Sequence, residues 1–205
     1  MQTCITSVNA RGIQLLREIA LNPRGAAGQE LLPQVRRELW ERLDHRGVTR
    51  LAQIPVLLFD MKFRDEQWWR DAVTAETATR RIDGSHGVPV DSIQELAREA
   101  LMVAWLSARN DARVAALITG MSYSTAVLVA ELTPADVSRV AVNGTKQLQL
   151  RWRRSESFWT TLLSAASDQD DHMLHLAKMH SLQLSCDVPA AEYVVAVRKS
   201  SPGKQ

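Results

Sequence analysis

Apolar residues recur every three or four positions along most of this chain, which is the spacing of amphipathic helices. The clearest example is 92–108, where the apolar side chains share one face and the charged side chains lie off it. Other helices are predicted at 13–20, 29–43, 124–131 and 170–184, and shorter ones after the capping residues Asp44, Asp65, Asp111, Thr133 and Ser155. Residues 1–12 are predicted to lack regular structure. The last helix is expected to bury one stripe, made of Met173, Leu176, Ala177, His180 and Leu184.

Two short segments alternate apolar with polar residues, a pattern that is typical of strands. The first is 57–63, in which the alternating apolar residues end at Phe63. The second is 147–153, in which Leu148, Leu150 and Trp152 alternate with Gln149, Arg151 and Arg153. We therefore expect a mainly α fold with two related small helical modules, each containing one short extended segment.

A stretch rich in glycine, proline and polar residues, 80–91, is the best candidate for a linker. It separates an N-terminal helical module, predicted over 1–82, from a C-terminal helical module, predicted over 92–190. The linker itself is assigned to 83–91. The remaining residues, 191–205, are expected to form a loose tail.

The two predicted modules share an order of residues that indicates an internal duplication. Aligning 39–52 with 128–141 without gaps gives these identical pairs: Leu39/Leu128, Leu43/Leu132, Val48/Val137, Arg50/Arg139 and Ala52/Ala141. Phe63-Arg64 then matches Trp152-Arg153, and after one inserted residue Glu66 and Trp69 match Glu156 and Trp159. Helical periodicity alone would explain some shared Leu and Ala residues. The common order of caps, extended segment and Trp favours two related modules, which could replace a homodimer as a pseudo-dimer within one chain.

Composition and charge exclude several classes of protein. The 205 residues include 25 Lys and Arg against 23 Asp and Glu, so the net charge of +2 excludes a polycation of the histone type. An apolar fraction of 45% is ordinary for a globular chain. Cys4 and Cys186 are too few for a disulfide framework or a four-thiolate metal site. Without an apolar run of about 18 residues or a secretory signal, the chain is expected to be soluble and cytoplasmic, with no membrane partner.

Residue types that carry metal or catalytic chemistry are few and poorly spaced. The residues that could ligate zinc lie in one stretch of the sequence: His172, His175, His180 and Cys186. His180 falls within the predicted apolar stripe and Cys186 beyond the predicted helix end, so a four-ligand zinc site is not expected. The acids Asp168, Asp170 and Asp171 lack the glycine turn and distal Glu of a calcium loop. No nucleophile or nucleotide-binding motif is present, and we expect no enzymatic activity, metal or cofactor.

One concentrated basic patch provides candidate contacts to DNA. Its members are Lys146, Arg151, Arg153 and Arg154. In an extended segment Arg151 and Arg153 point away from the core while Trp152 points inward, so the two arginines could contact phosphates. Arginines that protect a solvated edge strand from aggregation would explain the same pattern.

Aromatic pairs near two helix starts provide candidate protein-interface residues. The set is Trp68, Trp69, Trp152, Phe158 and Trp159. Because adjacent helical residues cannot both face inward, one ring of each pair is expected to reach the surface. Buried aromatic anchors dominate many protein interfaces, and a protein-binding role is therefore predicted.

Residues 93–200 resemble the FlhD family of bacterial flagellar transcriptional regulators. The similarity lies in Leu132-Thr133, then Val137, Arg139, Val140 and Ala141, then Gln147-Leu148, and then Trp152-Arg153. It covers about half of the chain. Leu150 or a neighbour stands where the family has a cysteine that links protomers, so the resemblance implies no such disulfide here. Ser167-Asp168-Gln169 stands where the family has Ser-Arg near DNA.

The resemblance implies an all-α regulator that pairs with a FlhC-type subunit and acts at promoter DNA of flagellar or related genes. We accordingly expect protein–protein contacts within a DNA-bound complex. The alternative is a protein-interaction adaptor without DNA binding, which the near-neutral net charge and the missing Ser-Arg pair favour. Either a homodimer or a pseudo-dimer within one chain is compatible with the sequence.

Overall fold

A computed structural model of the protein describes residues 1–22, 28–75 and 90–186. These residues form ten α-helices and two short strands, which confirms the mainly α prediction. In chain order the helices are α1 (Gln2–Leu21), α2 (Arg37–Arg42), α3 (His45–Ala52), α4 (Glu66–Thr74), α5 (Val90–Asn110), α6 (Ala112–Thr119), α7 (Tyr123–Ala130), α8 (Pro134–Gly144), α9 (Glu156–Ser167) and α10 (Asp171–Cys186). The strands are β1 (Phe59–Asp60) and β2 (Gln149–Leu150), and 3₁₀ turns lie at Gln29–Leu31 and Thr145–Gln147.

Residues 2–12 are helical, so the prediction that 1–12 lack regular structure is wrong. They form the first half of α1, in which Ile5 and Val8 extend the buried stripe of the later turns. The stripe is hidden in the sequence because it also contains the polar Asn9. This side chain is fully buried, and its amide donates to Val56 O at 2.9 Å and its oxygen accepts from Leu58 N at 3.0 Å.

The prediction of one helix over 29–43 is also wrong, because two short elements take its place. A 3₁₀ turn at Gln29–Leu31 is followed by Pro33, and α2 begins only at Arg37. Leu32 has an extended backbone, with φ −65° and ψ 139°. A proline disfavours the helical conformation in the residue before it, which explains the interruption.

Four predicted caps are present as side-chain hydrogen bonds. Asp44 accepts from Gly47 N at 2.7 Å, and Asp65 and Asp111 make similar bonds at the starts of α4 and α6. Thr133 begins α8 with reciprocal bonds to Asp136, a capping box. Ser155 also precedes a helix, α9, but its side chain makes no capping bond.

Corresponding elements of the two halves contact one another reciprocally. β1 and β2 pair antiparallel, with Phe59 opposite Leu150 and Asp60 opposite Gln149. α3 packs on α9, and its counterpart α8 packs on α4; α2 likewise packs on α9, and α7 on α4. The long first helices, α1 and α5, contact each other. Reciprocal contacts of this kind also occur across the two-fold axis of a dimer.

Two equivalent turns, one after each strand, show which residues of the two halves correspond. Lys62 and Trp152 both have positive φ, 53° and 51°, and each lies three residues before the cap of the next helix. The indoles of the following helices donate to backbone carbonyls of these turns, Trp69 to Lys62 O and Trp159 to Arg151 O, both at 3.2 Å. The inserted residue therefore precedes these turns, so that Arg64 corresponds to Arg154 and not to Arg153.

A continuous hydrophobic cluster joins both halves. α5 begins at Val90, so the end of the predicted linker 83–91 is helical. The rest of the linker and the tail 191–205 lie outside the described residues. Among the described helices no single one is long and apolar enough to cross a membrane, although α6 and α7, bent by 117° relative to each other, meet the length and composition test together.

Candidate functional site

A cleft of about 900 Å³ opens where the paired strands, the turns after them and the end of α6 meet. Its basic lining residues are Lys62, Arg64, Arg151, Arg153 and Arg154. Its acidic lining residues are Asp60, Asp65 and Glu66. The cleft thus brings together three of the four predicted DNA-contact residues and adds Arg64 and Lys62.

The acids of the cleft are engaged by neighbouring groups. Asp60 accepts from a backbone N–H at 2.9 Å and from the Gln149 amide at 2.6 Å. Asp65 caps α4 and accepts from Lys62 Nζ at 3.5 Å. Glu66 forms an ion pair with Arg70, which lies outside the cleft. Asp65 and Glu66 are therefore paired with Lys62 and Arg70, while the charge of Asp60 acts through space on Arg151.

The outer arginines of the cleft have no carboxylate partner within the described ranges. Arg64 is exposed and donates from Nε to Gly120 O at 3.1 Å. Arg153 is half-buried and donates to Glu30 O. Arg154 is exposed. Because five basic and three acidic residues line the cleft, its described lining carries a net positive charge.

Arg151 lies inward, against the prediction that it faces solvent beside Arg153. Only 7% of its surface is exposed. Its Nη1 donates to Leu57 O and Ile118 O, both at 3.1 Å, and its Nη2 donates to Ser185 Oγ at 3.0 Å. The strand alternation fails because β2 ends at Leu150 and the chain turns through positive φ at Trp152.

The Arg151 guanidinium is held between a glycine and an aromatic ring. A Cβ atom on Gly120 would lie 2.5 Å from Nη2, and the backbone there is left-handed with φ 78°. The Trp152 ring centroid lies 4.4 Å from Arg151 Cζ, within the range of a cation–π contact. Burial lowers the pKa of Arg151 to about 10, so the group keeps its positive charge at neutral pH.

Lys146 is exposed but does not line the cleft, so it lies apart from the other predicted DNA-contact residues. Sequence reasoning did not list Arg64. A signal for it was available, because the alignment of the two modules matches Arg64 with Arg153, and the turns of the structure make it equivalent to Arg154, both of them predicted DNA-contact residues. An internal repeat thus predicts a second arginine wherever the first is functional.

Three of the five predicted interface residues are fully buried, so that prediction is wrong for them. Trp69 stacks on Phe63, with ring centroids 5.8 Å apart. Phe158 packs edge-on between Trp152 at 5.0 Å and Trp159 at 5.5 Å. Both rings of the second pair lie inside because β2 and its turn cover the start of α9. Among the five, the half-buried rings are those of Trp68 and Trp152.

The inward face of α10 differs from the predicted stripe. The buried residues are Leu174, Ala177, Ser181 and Ser185. Met173, Leu176 and His180 were expected inside but are exposed. Because Ser181 and Ser185 are polar, the apolar pattern of the sequence does not reveal this buried face. The result is an exposed row on α10, named here the α10 stripe: Met173 at 38%, Leu176 at 46% and Met179 at 47% exposure.

The residues considered for metal binding are dispersed. His172 and His175 are exposed, and Cys186 is the last residue of α10 and not beyond it. Asp168 and Asp171 form ion pairs with Arg42 and Arg50. Over the described part of the chain, no group of three His, Cys, Asp or Glu residues is placed to hold a metal ion.

Comparison with known proteins gave no family model, no curated protein and no solved structure that matches this chain. Two surfaces stand out in the described structure. One is the arginine-lined cleft, which presents positive charge. The other is the α10 stripe, which presents apolar side chains to solvent.

Proposed function

We propose that the protein is a transcription regulator that works through protein contacts in a DNA-bound complex, with the arginine-lined cleft contacting the DNA backbone. The observation that carries the proposal is the group of three cleft arginines, Arg64, Arg153 and Arg154, which form no ion pair with any described carboxylate. Guanidinium groups match phosphate oxygens in geometry and charge. The resemblance to the FlhD family supports regulation of flagellar or related genes, with a FlhC-type subunit as partner.

If the arginines contact phosphates, the affinity for DNA must depend on salt concentration. Each neutralised phosphate of duplex DNA releases a counterion, so affinity falls as salt rises. Three contacts through the outer arginines contribute a slope of about −2.7 to the plot of log affinity against log salt. We therefore expect binding to promoter DNA to weaken steeply between about 50 and about 200 mM salt.

The test is a fluorescence-anisotropy titration of labelled duplex DNA with the full chain, alone and with its co-purified partner. The variant R64Q/R153Q/R154Q is compared with R46Q/R98Q/R113Q, whose three exposed arginines do not line the cleft. Both variants lose three positive charges, so general electrostatics change equally. A flatter salt slope in the first variant alone supports the proposal. Equal slopes in the two variants, or no DNA binding at all, contradict it.

The two-fold arrangement of contacts favours one chain acting as a pseudo-dimer. The self-paired strands and the reciprocal helix contacts already provide what a second protomer would supply. Sedimentation equilibrium is expected to return the mass of one chain, 22.9 kDa. A mass twice as large would contradict the pseudo-dimer and favour a homodimer.

The α10 stripe favours a second function, that of a protein-binding adaptor without DNA contacts. Met173, Leu176 and Met179 place apolar area in solvent along one helix face. Apolar patches of this kind often mark sites of protein contact. The charge-introducing variant L176E tests this function in native co-purification, with the exposed polar position H175Q on the same helix as control. Partner loss in L176E alone, together with absent DNA binding, favours the adaptor.

A further inference from the structure

The charge of Arg151 is not balanced by any carboxylate in direct contact among the described residues. Its recorded partners are two backbone carbonyls and one serine hydroxyl. Asp60 acts on Arg151 through space, yet its oxygens bond to Phe63 N and to the Gln149 amide. A buried ion without a counter-ion is costly, so such groups usually find a partner of opposite charge.

Arg151 also has more N–H donors than its contacts use. A guanidinium group has five N–H donors. The contacts to Leu57, Ile118 and Ser185 use both donors of Nη1 and one of Nη2. One donor of Nη2 and the donor of Nε have no partner among the described residues. Donors on adjacent nitrogens match two oxygens of a carboxylate or phosphate in a bidentate contact.

A second arginine, Arg64, contacts the same glycine as Arg151. Arg64 donates to Gly120 O, and the Arg151 guanidinium packs against the same glycine. The charge of Arg64 accordingly acts on Arg151 and disfavours its protonated form. Both residues line the cleft. Two positive groups that converge without a shared anion repel each other, and a bound anion would relieve that repulsion.

We propose that a phosphate group binds at the Gly120 end of the cleft, between Arg64 and Arg151. The inference deepens the proposed function, because it rests on the same cleft and assigns one anchored phosphate position within it. Trp152 and Gly120 hold the Arg151 guanidinium in place on either side, so this position is pre-organised before the ligand arrives. The ligand chemistry is a phosphate oxyanion, supplied either by the backbone of DNA or by a free phosphorylated compound.

The probe for this site is inorganic phosphate, added to the full chain in place of chloride at constant ionic strength. Binding to the folded state raises Tm by an amount that grows with the logarithm of one plus the ratio of phosphate concentration to Kd. We expect Tm of the wild type to rise with phosphate concentration in this way, and about tenfold weaker phosphate affinity for R64Q, since a hydrogen bond to a charged group is lost. R98Q changes an exposed arginine that does not line the cleft; it serves as control and is expected to bind phosphate as the wild type does.

Arg151 itself is tested by R151K and R151Q. Because Arg151 ties together three segments of the core, R151Q is expected to lower the basal Tm, and a purely structural role would stop there. The phosphate-dependent part of Tm distinguishes the two roles: R151K and R151Q are expected to lose the phosphate shift. R64Q, which changes an exposed side chain, keeps the test decisive if R151Q fails to fold.

Competition identifies the source of the phosphate. Displacement of inorganic phosphate by duplex DNA supports the site and a DNA backbone as its ligand. Phosphate binding that DNA does not displace also supports the site, assigns it to a small phosphorylated compound and counts against the proposed DNA contact. The absence of a phosphate shift, or equal shifts in R64Q and R98Q, overturns the inference, while the salt titration of DNA still tests the cleft independently.

Discussion

A Cβ atom on Gly12 would lie 2.1 Å from Cζ of Phe59, so α1 and β1 approach each other as closely as a glycine allows. Phe59 is fully buried and pairs with Leu150 across the two-stranded sheet. The contact therefore links the first helix to the strand pair at the centre of the two-fold arrangement. It also explains why a glycine occurs in the interior of a long helix, where it lowers helix stability.

The first prediction is that Gly12→Ala destabilises the protein. Alanine gains about 1 kcal/mol of helix propensity over glycine, but the clash with a buried ring costs about 1–3 kcal/mol or more. We expect a net loss in the free energy of unfolding, measured by urea denaturation. Gly47→Ala in α3 is the control, because its Cβ would meet the flexible end of Leu43 at 2.8 Å.

The double variant G12A/F59L tests whether the clash with the Phe59 ring causes the destabilisation by Gly12→Ala. Leucine at position 59 removes the atoms that a Cβ on residue 12 would touch. The two substitutions together are then expected to cost less than the sum of their separate effects. Strict additivity would contradict the proposed clash.

The second prediction concerns Asn9, the buried polar residue of α1. Asn9→Leu leaves Val56 O and Leu58 N without their partners, and each unpaired buried group costs about 1–3 kcal/mol. We expect a loss of about 2–4 kcal/mol in the free energy of unfolding, with faster hydrogen exchange at the Leu58 amide. Asn22→Leu, at an exposed position, is expected to change stability by less than about 0.5 kcal/mol. Similar losses in the two variants would contradict the role assigned to Asn9.

Helix starts were predictable from sequence where a single side chain determines them. Asp44, Asp111 and Thr133 combine a local cap with an apolar stripe that begins directly after it, and the structure confirms all three. The first half of α1 was not predictable in the same way. Asn9 and Gly12 break its apolar pattern, and their roles depend on Val56 and Phe59, which are distant in sequence.

The candidate site was predictable only in part, for a comparable reason. The basic residues Arg153 and Arg154 were predicted as members of a patch, whereas Arg64 was not predicted as a site residue. The inward position of Arg151 depends on a left-handed turn at Trp152, a residue type that rarely adopts positive φ. Local alternation predicts no such turn, so only the three-dimensional structure shows which arginine is buried.

The third prediction is a pH dependence that arises at the start of α8. Hydrogen bonds from the Thr133 side chain, from Arg139 and from the Thr133 backbone lower the pKa of Asp136 to about 2, below the usual 3.8. Because the folded-state pKa is the lower one, the stabilisation is fully present above about pH 4 and is lost as pH falls towards 2. Asp136→Asn is expected to reduce stability at pH 6 and to flatten its decrease between pH 4 and pH 2.

Urea denaturation at a series of pH values measures this effect. The difference between the wild type and D136N is expected to be larger at pH 6 than at pH 2. Asp91→Asn, in the first turn of α5, is the matched control for loss of one exposed acid near a helix start. A difference between wild type and D136N that stays constant with pH would contradict the assignment.

The last prediction compares the two turns with positive φ, Lys62 and Trp152. A non-glycine residue in this left-handed conformation costs about 1 kcal/mol, which glycine avoids. Lys62→Gly relieves this cost and loses only a half-exposed ion pair with Asp65, so unfolding stability is expected to stay within about 0.5 kcal/mol of the wild type or to rise. Trp152→Gly relieves the same backbone cost but removes the ring that packs on Phe158 and on the Arg151 guanidinium. We expect it to lose about 2 kcal/mol or more and, unlike Lys62→Gly, to weaken phosphate binding at the cleft. Equal effects of the two substitutions would show that the Trp152 ring does not hold Arg151 in position.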